Sequence, residues 1–408
     1  MTTLTRSNLR PRSPAQATPL SSTVRAMVLL AAFGAAIQPI RLFGIYNVAP
    51  LLLILGYLLE LNLVLRLWHH ARLSKTEWLF VATVLGSGIW GAFNENPLQS
   101  LITDVAEPIL FIFVVGVVRS SKVDESEILD GLGREMVYLL TASLIAVVTV
   151  LGSGFLGFGA KLSATSMNLS FAGLWFYYSK RAQSGLLGTL LLLAFGGKVG
   201  AITALIAPLS FEVVSRLRRL APAIVVAMVV ALMLAIWAPS LDSIERIPIA
   251  DKLITPAVID GSLTLERLDQ DIFGSRIAEA KSSWTGLNEH GYGVAALSLG
   301  GGAGYTYDLM DYHQLRLIRP SHGVHFSPLS LLVIYGLAGV LPIGLFFFHV
   351  TRRSIQKLRT TSGISLVWPA FTVGVLVASL TAYSLFATPL FAIATGFTLR
   401  HTTSAGRS

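Results

Sequence analysis

Apolar and polar residues fall along this chain in long blocks rather than at the short periods of a soluble fold. Twelve apolar blocks lie near 23–39, 43–66, 77–94, 98–118, 136–157, 163–179, 184–197, 199–215, 220–238, 325–350, 364–384 and 386–400. A helix crossing a bilayer needs roughly 20 apolar residues and somewhat fewer at minimum. The blocks therefore predict an all-α polytopic membrane protein of about twelve transmembrane helices. The pair at 184–197 and 199–215 is short and separated only by Gly196-Gly197-Lys198. A long, partly helical outer loop is expected between spans nine and ten.

The pattern divides the chain into a disordered basic cytoplasmic tail at 1–22, spans one to nine at 23–238, a periplasmic loop at 239–323, spans ten to twelve at 324–400, and a second cytoplasmic tail at 401–408. In the first tail Arg6, Arg10 and Arg12 are mixed with prolines, a composition that cannot bury a core. The first span resembles a signal peptide in being short and rich in small residues. Cleavage after it would leave only a few residues before the next span, so it is read as a helix.

Composition agrees with the blocks. Of the 408 residues 53% are hydrophobic and 13% charged, with a mean hydropathy of +0.67; soluble domains carry roughly 25% charged residues. Cysteine is absent, which excludes disulfides, cysteine–zinc sites and thiol nucleophiles. The net charge of +9 suggests nucleic acid until its distribution is considered. With the N-terminus inside and twelve spans alternating, the short outer links hold only Arg41, Lys161 and Lys198. Basic residues collect at cytoplasmic links, so no nucleic-acid partner is needed. Merging the short pair would put Arg216, Arg218 and Arg219 outside, which favours twelve spans over eleven.

The long loop has eleven Asp and Glu against seven Lys and Arg. Loops of this length are usually functional. Within it, 265–287 reads as an amphipathic helix through Leu265, Leu268, Ile272, Ile277 and Trp284. The run Leu299-Gly-Gly-Gly-Ala-Gly-Tyr305 is a turn where backbone must approach something closely. It is neither a phosphate-binding loop ending in Gly-Lys-Ser/Thr nor the opening of a dinucleotide fold.

The candidate chemistry gathers toward the end of this loop. His322 and His325 precede a helix for which Ser327 is a natural N-cap and Pro328 a natural first residue. Arg319 lies just before them. A helix N-terminus attracts anions, and histidine exchanges protons near neutral pH. Arg276 has the planar guanidinium suited to phosphate oxygens, and Lys198 sits in a tight glycine turn. These residues also have ordinary structural readings: a solvated arginine, a snorkelling lysine, histidines that hold a helix entry. Asp104 and Glu107 lie three apart on one face of the fourth span, and carboxylates inside a membrane are costly and usually functional. Pro108 follows them and is expected to kink the helix. No convincing metal-ligand spacing accompanies the histidines.

The order of these features resembles the O-antigen ligase and O-antigen polymerase superfamily of polytopic bacterial envelope glycosyltransferases. That family has His-Asn-x-x-Leu, six residues, then Gly-x-x-Gly. Here His325-Phe326-Ser327-Pro328-Leu329 is followed in the same register by Gly336-Leu337-Ala338-Gly339, with Phe326 in place of asparagine. Gly197-Lys198-Val199-Gly200 is similar to the family's Ser-Arg-Gly hairpin, with lysine for arginine. Arg276, Trp284 and the turn from Gly301 to Tyr305 match its loop, and Ser384-Leu385-Phe386 and Pro389 its last spans. The likeness covers roughly residues 150–400.

The resemblance implies an enzyme of the bacterial inner membrane, metal-independent and without a cofactor, with both termini cytoplasmic. Its donor would be an undecaprenyl-pyrophosphate-linked glycan, and other polysaccharide-assembly proteins would be its partners beside the lipid bilayer. Polymerase-type transfer is the expected activity, with transfer to a lipid A core by a ligase as the alternative. Arg276, Lys198 and Arg319 would hold pyrophosphate, His325 would act on the acceptor hydroxyl with His322 in support, and Trp284 and Tyr305 would stack on sugars. A polysaccharide transporter or flippase, and a non-enzymatic assembly partner, are the rival classes.

Overall fold

The computed structural model describes residues 18–37, 49–154, 166–179, 183–196, 203–210, 282–287, 297–310, 317–322, 327–380, 385–386 and 388–400. Among these the chain is mostly helical. In order come α1 (Pro19–Ile37), α2 (Ala49–Leu67), α3 (Lys75–Phe93), α4 (Leu98–Ser120), α5 (Glu125–Asp130), α6 (Gly133–Gly154), α7 (Ser166–Ser179) and α8 (Gln183–Gly196). Strands β1 (Thr306–Met310) and β2 (Leu317–His322) then precede α9 (Ser327–Thr360), α10 (Val367–Ala378) and α11 (Pro389–Leu399). Residues 203–210 are also helical.

Among the described residues, four helices are long and apolar enough to cross a membrane: Pro19–Ile37, Leu51–His70, Leu98–Ser120 and Pro328–Thr360. Large apolar side chains such as Phe93, Leu65 and Phe348 are exposed on the outside of the bundle, as suits a surface solvated by lipid tails. The protein is a membrane-embedded, mostly helical molecule. Eleven of the twelve expected blocks overlap described helix; the block at 220–238 lies outside the described residues.

Two local features depart from the expected pattern. Helix α9 does not end near 350 but continues to Thr360, with Lys357 and Arg359 in its last turn, where cations suit a helix C-terminus. Residues 306–322, expected as part of the long, partly helical outer loop, include a two-stranded antiparallel ribbon in which Thr306 pairs with His322 and Leu309 with Arg319. The mostly helical bundle agrees with an all-α membrane protein, to which the outer segment adds a small β ribbon.

Helix α4 is central, packed on α2, α3 and α11, while α9 packs on α3, α10 and α11. Lipid tails are as apolar as leucine, so helix association within the bilayer depends on close packing and internal hydrogen bonds. Aromatic rings supply much of that packing. Phe111 of α4 stacks on Phe391 of α11 with centroids 5.2 Å apart, and Phe80 of α3 meets Phe346 of α9 edge-on at 5.5 Å. Trp368 of α10 stacks on Phe397 of α11 at 4.8 Å.

Candidate functional site

The glycine run 299–305 closes over one end of the bundle, and the surface it approaches is the protein's own. On the α3 side, Trp90 Nε1 donates to Gly300 O at 3.0 Å. Asn94 Nδ2 donates to Gly301 O at 3.2 Å, and Asn96 Nδ2 to both Gly301 O and Ala303 O at 2.9 Å. The Ala303 N–H donates to Ser87 O at 3.0 Å. On the α4 side, Gly304 N–H donates to Asp104 Oδ2 at 2.7 Å.

The third wall is α9. At Gly336 the backbone takes φ 62° and ψ −177°, which interrupts the helix. Nearby carbonyls are diverted from the helical ladder, and Val333 O and Ile334 O accept from Gly301 N–H and Gly302 N–H at 2.8 and 3.0 Å. A Cβ at Gly336 would collide with the Ser298 carbonyl, and one at Gly91 with the Ala303 carbonyl. Only glycine fits either place, for its positive φ in the first case and the close backbone approach in the second.

The ribbon and the helical residues 282–287 are anchored on this seat. Tyr305 and Tyr307 stack with centroids 6.4 Å apart and form a small apolar cluster with Leu287 and Val333. Tyr305 O–H donates to Ser283 O at 3.2 Å. Tyr305 is only 3% exposed, so its ring works as an anchor, whereas the neighbouring Trp284 is 37% exposed.

Of the expected site residues, the structure gathers Asp104, Tyr305 and Trp284 around the seat. Arg319 and His322 are carried on β2, which the ribbon ties to β1. Arg276, Lys198 and His325 lie outside the described residues, His325 two positions before α9 begins. Asp104 and Glu107 line a small pocket with Thr103, Ser330, Tyr335 and Phe386. Tyr335 O–H donates to Asp104 O at 2.8 Å, and Tyr335 also borders a second, larger and mainly apolar groove between α3 and α9.

Several contributors lie outside the sequence motifs. Trp90, Asn94 and Asn96 hold the glycine run, and the polar group Asn94-Glu95-Asn96-Pro97 between two spans was the available signal. Glu60 is a third carboxylate in the membrane, 2% exposed in α2; a lone glutamate in a leucine-rich block was signal enough. Among the described residues no three His, Asp or Glu side chains gather as metal ligands.

At the opposite end the chemistry is ionic. Ser74 and Glu77 form a reciprocal capping box at the start of α3. Glu77 also pairs with Arg119, whose Nη2 lies 2.8 Å from Oε2. Lys357 Nζ donates to Phe397 O at 2.7 Å and lies 3.9 Å from Glu125. Arg400 donates to Val123 O, and Arg25 donates to Gly131 O at 3.2 Å. Burial pushes the Glu125 carboxyl up, with Lys357 and Arg400 pulling the other way. No family model matches this chain, and no curated protein matches it.

Proposed function

We propose that the protein is a polytopic inner-membrane glycosyltransferase of polymerase type, which extends a surface polysaccharide from an undecaprenyl-pyrophosphate-linked glycan. The observation that carries the reading is the polar seat at one end of a membrane-embedded bundle. The ribbon bearing Arg319 and His322 is locked there to the head of α9, and the His325 to Gly336-x-x-Gly339 spacing leads directly into the same helix. The twelve-span topology with both termini cytoplasmic belongs to this reading. It is supported by Arg25, Arg66, Arg72, Lys75, Arg119, Arg352 and Arg353 at the ends of helices away from the seat, where the positive-inside rule expects cytoplasm.

In the reaction, an acceptor sugar hydroxyl attacks the anomeric carbon of the donor. The bond from that carbon to pyrophosphate breaks, and the hydroxyl proton passes to His325, with His322 in support. Arg276, Lys198 and Arg319 hold the departing pyrophosphate as its charge develops. Trp284 offers an aromatic face to a sugar, and Tyr305 holds the segment beneath it. The apolar groove between α3 and α9 suits a prenyl chain, because in the bilayer such a groove fills with hydrocarbon. Transfer needs no metal, so a chelator leaves the activity of purified protein intact.

A lipid-linked-sugar transporter is the second reading, and the observation favouring it is Glu60 buried in the membrane beside α4. Complementation of a strain lacking the gene separates them. Arg276→Ala and His325→Ala abolish long-chain surface polysaccharide with membrane levels unchanged, Lys198→Arg retains more than Lys198→Ala, and His322→Ala is milder. Normal chains from both alanine variants at positions 276 and 325 overturn the catalytic assignment. A requirement for lipid A core as acceptor converts the polymerase into a ligase.

A further inference from the structure

Helix α3 carries Trp90 to the seat, so the link 68–74 that feeds its first turn lies at the other end of the bundle. This link is fixed from within. Leu73 packs so closely on Gly116 of α4 that a Cβ there would collide with it. The Arg119 guanidinium donates to Arg72 O and grips Glu77, which closes the capping box with Ser74. Glu77 is the only carboxylate in residues 66–79, and it is buried.

The basic side chains of the same stretch face the other way. His69, His70, Arg72 and Lys75 are exposed, and none of their side chains has an ion pair or hydrogen bond among the described residues. Phe80 of α3 meets Phe346 and Phe347 of α9, which brings the exposed Arg352 to the height of Lys75. An aromatic floor adjoins this basic group. Trp68, in the 3₁₀ turn Trp68–His70, meets Phe113 of α4 at 5.0 Å. Trp78 meets the same ring edge-on at 6.5 Å. Both indoles are exposed. Phe113 lies six residues before Arg119, about 9 Å further along α4 from the basic layer.

Exposed indoles at the end of a membrane helix sit at headgroup level with their rings toward the acyl chains. Here they lie beneath basic groups that no carboxylate compensates. A small soluble anion would make no use of the rings, whereas an amphiphile with an anionic head meets both layers. Basic pockets between membrane helices take such headgroups. We propose that the α2–α3 link is a binding site for an anionic phospholipid. Arg72 and Lys75 hold its phosphate, and Trp68 and Trp78 lie along its chains over Phe113. The site stands whether or not the protein transfers glycans.

Lipid titration of the purified protein in detergent, read by native mass spectrometry, tests this. Wild-type protein takes up phosphatidylglycerol in preference to phosphatidylcholine of the same chain length. Each basic residue near an anionic lipid contributes about fivefold, so Arg72→Gln/Lys75→Gln weakens phosphatidylglycerol binding by about 25-fold, with phosphatidylcholine binding unchanged. Arg134→Gln leaves both unchanged, because this exposed arginine lies on α6, which packs on α1, α7 and α8. Phosphatidylglycerol with brominated chains quenches tryptophan emission more than brominated phosphatidylcholine, and Trp68→Leu/Trp78→Leu removes that excess. Equal uptake of the two lipids by wild-type protein overturns the proposal, as does undiminished uptake by the Arg72, Lys75 variant or an equal loss in Arg134→Gln. Displacement of the lipid by inorganic phosphate at matched ionic strength also overturns it, since the site would then hold a free anion. The wild-type lipid preference and quenching need no variant, so a folding defect in a variant does not obscure the answer.

Discussion

At one end of the bundle Arg119 grips Glu77, Lys357 reaches the last turn of α11, and Arg25 and Arg400 cap carbonyls on the α5 side. At the other, Trp90, Asn94, Asn96 and Asp104 hold a glycine run by its backbone, and α9 breaks at Gly336 to present two carbonyls. The ionic end uses long side chains that adapt their rotamers, so it depends on charge. The seat brings backbone against backbone and depends on shape. An anchor at a helix end can tolerate the first kind of construction. A site that has to present several residues in fixed relation needs the second.

The ionic end depends most on Glu77. Its carboxylate is 1% exposed and serves both the α3 cap and Arg119. Glu77→Ala leaves a partly buried guanidinium unpaired, at a cost of about 3 kcal/mol, the lower end for a broken buried pair because Arg119 keeps some solvent. Thermal unfolding in detergent should show it as a lowered Tm at unchanged glycan transfer per folded molecule. Next comes Gly336→Ala, where the new Cβ meets the Ser298 carbonyl at a positive φ. The expected cost is on the order of 2–3 kcal/mol. Proteolysis between 288 and 316 should accelerate while the ionic end stays protected.

Asn96→Ala is smaller. Two carbonyls lose a shared donor, worth about 1–2 kcal/mol, and a lowered Tm with partial loss of function is expected; an unchanged Tm would show that the seat holds without its side-chain donors. Glu125→Gln has the least effect. Burial raises this carboxyl, so its stabilising contribution is present when it is protonated and is lost as pH rises through its folded value. The glutamine variant should therefore match or slightly exceed wild type at pH 7, and the difference should close as pH falls toward about 4. A large destabilisation at pH 7 would mean that the Lys357 contact outweighs the burial of the charge.

The helices were legible because apolar blocks of membrane length have few alternative folds, and the start of α3 was written in Ser74-x-x-Glu77. The ribbon was not: β2 reads Leu-Ile-Arg-Pro-Ser-His, with no alternation to mark a strand, and its pairing depends on Tyr307 finding a buried place. The Gly336-x-x-Gly339 spacing was visible as a motif, yet its physical role, freeing Val333 and Ile334 carbonyls for the glycine run, required α3 and α9 side by side. The glycine run itself announced a close approach without naming the partner. Glu60 was hidden by its leucine neighbours, although the cost of a carboxylate in lipid should have drawn notice to it.

On the proposed function the seat end carries transfer chemistry and the ionic end carries stability. Purified protein reconstituted with an undecaprenyl-pyrophosphate-linked oligosaccharide measures both at once, as polymer formed and as Tm. His325→Ala and Arg276→Ala should lower the transfer rate by about 10²–10³ with Tm unchanged, whereas Glu77→Ala should lower Tm with the rate per folded molecule unchanged. Full transfer by both His325→Ala and Arg276→Ala, or no transfer by well-folded wild-type protein from any such donor, would contradict it.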